Sequence, residues 1–218
     1  MSVRNATWKA GLALLLAGVA GFADAVGYLT LHQIFTAHMT GNTTKLGIAL
    51  GDGSISAAYP LAAAVLGFVA GVGAGTLIVD GGRRRAALLA EAALIAAFMV
   101  YGATVLHHGH APDHAAGFYV LLTLLTMGLG IQSAALTRVG GATVRTSYIS
   151  GVLTNLGQAG ARRLRGRPSG QEQTGLLLLL CLCYLAAATA GAFGLSHLGI
   201  WCLAAPAGVL LVAAAFDR

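Results

Sequence analysis

The sequence predicts an all-α membrane protein with six transmembrane helices and two short re-entrant helices, built as two inverted repeats. Three observations support this fold class. Of the 218 residues, 57% are hydrophobic and 9% are charged, whereas soluble domains carry about 25% charged residues. Six apolar runs are long enough to cross a bilayer, and two short polar segments recur about half a chain length apart. We therefore expect a single membrane domain over residues 1–218.

The net charge of +6 does not indicate a nucleic-acid-binding protein. Such proteins need a basic surface that faces solvent, whereas the basic residues here form short clusters between apolar runs. Loops between membrane spans have this composition. The sequence thus predicts no nucleic-acid partner, and its partners are expected to be membrane lipids and a small-molecule solute.

The six predicted spans are each long enough, at ~20 residues or more, to cross a bilayer. They are residues 9–31, 57–79, 86–107, 115–137, 174–196 and 198–216. The first run, with Ala23-x-Ala25 near its end, also has features of a cleaved signal peptide. A similar segment recurs in mid-chain, where no signal peptide can act, so we favour a span.

Two shorter segments, 36–50 and 146–160, are too short and too polar to be ordinary spans. About 15 helical residues cover ~22 Å, less than the ~30 Å hydrocarbon core. Each segment is therefore predicted to be a re-entrant helix.

The two halves of the chain carry matching segments. Gly21-Phe-Ala-Asp-Ala25 aligns with Gly130-Ile-Gln-Ser-Ala134, and the run 39–47 aligns with 149–157 at nearly the same offset. We expect repeat one to span residues 1–109 and repeat two residues 110–218. Each repeat would hold three spans and one short helix, and an odd number of spans inverts the second repeat relative to the first.

Positive charge predicts the orientation, because cytoplasmic loops are enriched in Lys and Arg. If the short helices do not cross and the N-terminus is cytoplasmic, twelve of the thirteen basic residues lie inside and Lys45 lies within the first short helix. If both short helices cross, the twelve divide into seven inside and five outside. The sequence therefore predicts a multi-pass protein of the bacterial inner membrane with both termini in the cytoplasm.

Inverted repeats with interrupted helices are typical of secondary transporters, whose binding site lies near the membrane midplane. Helix N-termini at that depth favour an anion or a carboxylate. We predict a small secondary transporter whose solute, an anion being one candidate, binds between the two short helices. The alternative is a non-transporting scaffold or regulatory protein. The predicted solute-binding residues are Asp24, His38, Thr40, Gly41, Asn42, Thr43, Lys45, Gln132, Ser150 and Gly151.

Each of these residues also has a structural interpretation. Asp24, an acid within a span, could carry a proton, bind a cation, pair with Lys45 or His38, or hydrogen-bond a short-helix N-terminus. The polar residues that begin the first short helix could bind solute or cap the helix. Lys45 could bind an anion or extend to the outer interface, and His38 could act as a pH switch. Gln132 could complete the site from the second repeat.

The segments Asp24-Ala-Val-Gly-Tyr28 and Phe35-x-x-x-Met39-Thr-Gly-Asn-Thr43 resemble the YoaK family of uncharacterised bacterial membrane proteins. Gly130-Ile-Gln132 and the run 150–157 are similar to the second signature of that family. The resemblance covers essentially the whole chain. It implies a multi-pass inner-membrane protein of about six spans and supplies no activity.

Three further features have predicted roles. Gly67, Gly71 and Gly75 permit a close helix contact, either within the chain or in a homodimer through glycine-rich helix faces. Glu91 is expected to form a local ion pair or to lie at the interface. The His-rich loop 107–114 has metal-ligand chemistry but no recognisable closed site. With no nucleophile–base pair in view, we predict no enzyme activity, no metal site and no cofactor.

Overall fold

The computed structural model describes residues 3–106, 116–135, 138–139, 142–143, 149–166 and 171–217. These residues are helical, apart from turns and one antiparallel pair of two-residue segments, Arg138–Val139 and Ala142–Thr143. The helices are α1 (Val3–Thr30), α2 (Met39–Gly51), α3 (Ile55–Asp80), α4 (Arg84–Val105), α5 (Ala116–Ala135), α6 (Ile149–Leu164), α7 (Gln171–Leu198) and α8 (Ala204–Phe216), with a 3-10 helix (Gly199–Leu203) before α8.

Five stretches are long and apolar enough to cross a membrane, rather than the six that the sequence predicted. They are Trp8–Thr30, Ile55–Asp80, Arg84–Val105, Ala116–Ala135 and Gly175–Phe216. The last stretch contains both the fifth and the sixth predicted spans. The chain turns within it at Gly199, whose φ is 60°, and α8 has 13 residues, about 20 Å of helix.

The glycine face of α3 packs directly on α5. A Cβ at Gly71 would lie 2.8 Å from Met127 Cα, and one at Gly75 would lie 2.8 Å from Ile131 Cα. The two contacts follow each other in the same order along both helices, so α3 and α5 are parallel. This face therefore packs within one chain, and a homodimer, which stays a prediction, would have to use another surface.

Helices α4 and α5 are antiparallel. A Cβ at Gly128 would lie 3.5 Å from Leu94 Cβ, whereas one at Gly117 would lie 2.8 Å from Val105 Cγ1. Position therefore rises along α4 as it falls along α5.

Helix α1 is antiparallel to α5, because Gln132 Nε2 donates to the Leu16 carbonyl at 2.8 Å while a Cβ at Gly27 would meet Leu125. It is parallel to α7. Ala17 packs with Leu180, and further along both helices the backbone of Phe22 meets Gly191.

Helix α8 is antiparallel to α4. Arg84, at the start of α4, forms a bidentate ion pair with Asp217, which directly follows α8. Gly102, near the end of α4, lies against Ile200 of the 3-10 helix that precedes α8. Because α4 is parallel to α1, helices α7 and α8 form an antiparallel hairpin that turns at Gly199.

These directions place both short helices. Helices α1 and α3 are antiparallel, so the chain leaves α1 and enters α3 at the same end of the bundle, with α2 between them. Helices α5 and α7 are also antiparallel, and α6 joins them at the opposite end. Neither connection carries the chain from one end of the bundle to the other.

The Gly71→Ala variant should be less stable than the native protein, because its new methyl group would overlap the backbone of α5. Overpacking of this kind costs about 1–3 kcal/mol. Thermal unfolding of the purified protein in detergent measures the effect. Gly73→Ala is the matched control, since it lies on the same helix with open space around a Cβ and should keep or slightly raise the melting temperature. Equal melting temperatures for the two variants would contradict the α3–α5 packing.

Candidate functional site

Asp24 lies at the centre of the polar cluster inside the bundle. The residue is 2% exposed, and its carboxylate accepts five hydrogen bonds. Oδ1 accepts from the Thr36 N–H at 2.6 Å, the Thr36 hydroxyl at 3.0 Å and the Ala37 N–H at 2.7 Å. Oδ2 accepts from His38 Nδ1 at 2.7 Å and the Tyr184 hydroxyl at 2.9 Å. Asp24 thus joins α1, the segment before α2, and α7.

His38 and Tyr184 complete this cluster. The Tyr184 hydroxyl lies 3.1 Å from His38 Nδ1, and the two rings meet edge to face with centroids 5.3 Å apart. The structure therefore selects His38 from the two partners that the sequence offered for Asp24. Sequence reasoning did not identify Tyr184, whose signal would have been a hydroxyl in the middle of an apolar run.

The segment between α1 and α2 turns back into the bundle without regular secondary structure. It begins with two consecutive non-glycine residues in the left-handed region, His32 at φ 51° and Gln33 at φ 60°. Backbone groups in such a segment need partners away from water. Asp24 binds the N–H groups of Thr36 and Ala37.

Asn42 holds the same segment from α2. Its Oδ1 accepts from the Phe35 N–H at 3.0 Å, and its Nδ2 donates to the Phe35 carbonyl at 2.6 Å. The side chain is fully buried. Gly41, one position earlier, lies under the Phe35 ring, 3.2 Å from where a Cβ would stand. Asn42 and Gly41 therefore position the turn, and the Asn42 amide has both of its polar atoms engaged there.

Lys45 is not a partner of Asp24. Its Nζ donates to the Gln33 carbonyl and lies 5.3 Å from the centre of the Tyr28 ring and 5.4 Å from that of Phe35. These contacts are cation–π geometry. The lysine thus fixes the start of the turn through Gln33, Tyr28 and Phe35.

A cavity of about 360 Å³ adjoins the Asp24 cluster between α1 and α7. Its polar lining consists of Asp24, His38 and the hydroxyl-bearing Tyr28 and Tyr184, and the remainder is apolar. The lining residues are Asp24, Ala25, Tyr28, Leu29, Phe35, His38, Tyr184, Ala188 and Ala192. A small solute could contact a carboxylate, an imidazole and a phenol here.

The other predicted residues lie outside this cavity. Thr40 and Thr43 are exposed on α2, and the Thr43 hydroxyl donates to the Met39 carbonyl of its own helix. Gln132 bonds α1 at Leu16, eight residues or about 12 Å along the helix from Asp24.

The second short helix does not join the cluster either. Ser150 is exposed and Gly151 half-buried on α6, which packs on α7, whereas α2 packs on α3. The predicted convergence of two helix N-termini on one solute is therefore not the arrangement around Asp24.

No group of three metal-ligating side chains occurs within the ranges that the structure describes. The His-rich loop 107–114 lies outside those ranges. The chemistry available beside Asp24 is hydrogen bonding and charge.

A family profile described as "Protein of unknown function (DUF1275)" matches residues 12–216. The chain belongs to the DUF1275 family. It is 30% identical over 155 residues to the UPF0700 transmembrane protein YoaK of Bacillus subtilis (strain 168). The aligned region covers 69% of this chain and 67% of that relative. This confirms the resemblance read from the sequence motifs, and with it a multi-pass transmembrane protein. No solved structure matches this DUF1275 member.

Replacing Asn42 with alanine should destabilise this DUF1275 protein by about 1–3 kcal/mol, because the Phe35 N–H and carbonyl would lose their partners inside the bundle. Chemical or thermal unfolding in detergent provides the measurement. Thr43→Ala is the control, since that hydroxyl is exposed and its loss should change stability by less than about 0.5 kcal/mol. An Asn42→Ala variant as stable as Thr43→Ala would refute the role of Asn42 in holding the turn.

Proposed function

We propose that this protein is a small secondary transporter that binds its solute in the cavity beside Asp24, His38 and Tyr184. The observation that carries the proposal is a buried carboxylate at the edge of a 360 Å³ cavity, next to non-helical backbone inside an apolar bundle. Ionisable residues within spans are functional candidates by default. Interrupted helices at a binding site are typical of transporters.

We further propose six crossings, with α2 and α6 re-entering the membrane from opposite sides and the two halves of the chain as inverted repeats. The antiparallel directions of α1 and α3, and of α5 and α7, support this topology. The α7–α8 hairpin supports counting two crossings in the last apolar stretch. The distribution of Lys and Arg supports cytoplasmic termini.

The outer surface supports contact with membrane lipids. Large apolar side chains are exposed on several helices, with Leu66 68% exposed, Leu77 77% and Phe193 65%. Large apolar side chains exposed in this number are typical of a membrane or protein contact.

The proposed solute is neutral and polar or cationic, rather than the anion that the sequence suggested. The N–H groups of Thr36 and Ala37 already bind the carboxylate of Asp24, so an internal anion occupies the place expected for the solute. A second anion beside it would meet like charge at short range in a medium of low dielectric constant.

One observation favours the alternative, a membrane scaffold without a solute. All five hydrogen bonds to Asp24 come from the protein itself, so the cluster is complete as a structural joint. The scaffold needs no water access to the cavity, whereas the transporter does.

Ligand-dependent stabilisation tests the binding site. We expect one class in a panel of amines, amino acids, nucleobases, sugars and inorganic ions to raise the melting temperature, because a ligand at 100 times its dissociation constant stabilises the native state by about 2.7 kcal/mol. The shift should disappear in Tyr184→Phe and persist in Tyr59→Phe, which changes an exposed tyrosine. A shift that survives Tyr184→Phe would place the ligand elsewhere, and a panel without any shift would favour the scaffold.

Cysteine accessibility tests for water in the cavity. In a background lacking Cys181, Cys183 and Cys202, a cysteine at Ala188 should react with a charged, membrane-impermeant thiol reagent, because Ala188 lines the cavity. Leu185→Cys is the control, since Leu185 is 61% exposed on the outer surface of α7, where lipid would cover it. Equal protection of both positions in membranes would support the scaffold.

A further inference from the structure

Glu91 is a second buried carboxyl group, and it does not belong to the Asp24 cluster. It is fully buried in α4, and neither carboxyl oxygen has a hydrogen-bond partner in the structure. The local ion pair expected from the sequence is wrong, because Glu91 has no partner among the described residues, whereas the interfacial position stays a prediction. Arg85 is exposed, and the ion pair formed nearby joins Arg84 to Asp217 instead.

The position of Glu91 on α4 shows which helices surround it. Arg84, Glu91 and Gly102 lie on one stripe of the helix, because steps of seven and eleven residues return to nearly the same face. Both ends of that stripe contact the α8 hairpin, at Asp217 and at Ile200. On α5, Gly128 is the neighbour, 3.9 Å from the Glu91 carbonyl to where its Cβ would stand. Glu91 therefore lies where α4, α5 and α8 meet.

The helices packed on α4 present no charged group beside Glu91 within the described residues. Helix α8 has no titratable side chain, and Asp217 after it is paired with Arg84, seven residues or about 10 Å from Glu91 along α4. The other titratable groups on the helices that pack against α4 lie away from Glu91, further along those helices. They are Tyr119 on α5, Cys202 on the 3-10 helix, and Tyr59 and Asp80 at the ends of α3.

An ionised carboxyl without a partner in an apolar interior is strongly unfavourable, and such a group keeps its proton instead. We propose that Glu91 is a proton-binding site, protonated in this conformation at neutral pH, that exchanges its proton with the cytoplasmic side when the seam between α4 and α8 opens at the Arg84–Asp217 pair. A buried carboxyl group without hydrogen-bond partners raises the free energy of this conformation, and so favours another conformation in which the group has partners.

Glu91 replaces Asp24 as the residue to which proton coupling is assigned. Asp24 is held in place by five hydrogen bonds, and moving a proton onto it would break that set. Glu91 has no such contacts to lose. If the transport function proposed above holds, Glu91 is the residue that couples it to protons. The proton-binding site itself does not depend on that function.

Carbodiimide labelling tests the proposal. Dicyclohexylcarbodiimide adds to a protonated carboxyl in an apolar site and gives a stable N-acylurea, with no leaving group. Purified full-length protein should be labelled on Glu91 at neutral and mildly alkaline pH, as located by peptide mass spectrometry. The label should be absent in Glu91→Gln, and the exposed Asp52 should stay unlabelled as an internal control. An unlabelled Glu91 together with an infrared spectrum that lacks a protonated-carboxyl band sensitive to Glu91→Gln would overturn the proposal.

Two variants test the route of the proton. Arg84→Gln and Asp217→Asn each break the ion pair, so water should reach Glu91 and labelling at alkaline pH should fall by about tenfold, as one pH unit of earlier ionisation would give. Unchanged labelling in both would overturn the cytoplasmic route. Glu91→Gln should fold as stably as the native protein at neutral pH, because glutamine mimics the protonated form. A large loss of stability would show that Glu91 is ionised and paired, and would overturn the proposal.

Discussion

The hydrogen bonds between the Asp24 carboxylate and the backbone of Thr36 and Ala37 solve two problems at once. A carboxylate inside an apolar bundle needs donors, and non-helical backbone inside the same bundle needs acceptors. Each supplies what the other lacks. Because the chain can then turn back into the bundle after α1, α2 begins beside α1 and α3 can start at the end where α1 stops. Tyr184 extends the same joint to α7.

Asp24 and Glu91, the buried acids within the described apolar spans, show how environment divides the roles of one chemical group. Asp24 faces the chain reversal that follows α1, and the N–H groups of Thr36 and Ala37 in that reversal bind its carboxylate. Glu91 lies in the middle of a regular helix, where every backbone donor nearby is already used within α4, and its neighbours are apolar. The first arrangement favours a fixed charge, and the second favours a neutral group.

Local patterns predicted most of the helices but not the contacts between distant ones. The apolar runs located α3, α4, α5 and the end of α1 to within two residues, because burial in lipid demands continuous apolar sequence. The polar runs located α2 and α6. Asp24 stood out as an acid in such a run, and His38 was among its expected partners. Tyr184 did not stand out in the sequence, because a tyrosine among leucines is equally compatible with ordinary packing. The environment of Glu91 depends on contacts with α5 and α8, and the spacing of residues within α4 does not predict those contacts.

The partners of Asp24 also differ in when they are synthesised. Thr36, Ala37 and His38 follow within 14 residues, whereas Tyr184 follows 160 residues later, which at 5–20 residues per second is about 8–32 s. The nascent chain therefore carries its own partners for the acid as the first hairpin enters the bilayer. The first half of the chain can therefore insert into the membrane with the Asp24 carboxylate already hydrogen-bonded. When α7 inserts later, Tyr184 adds the fifth hydrogen bond.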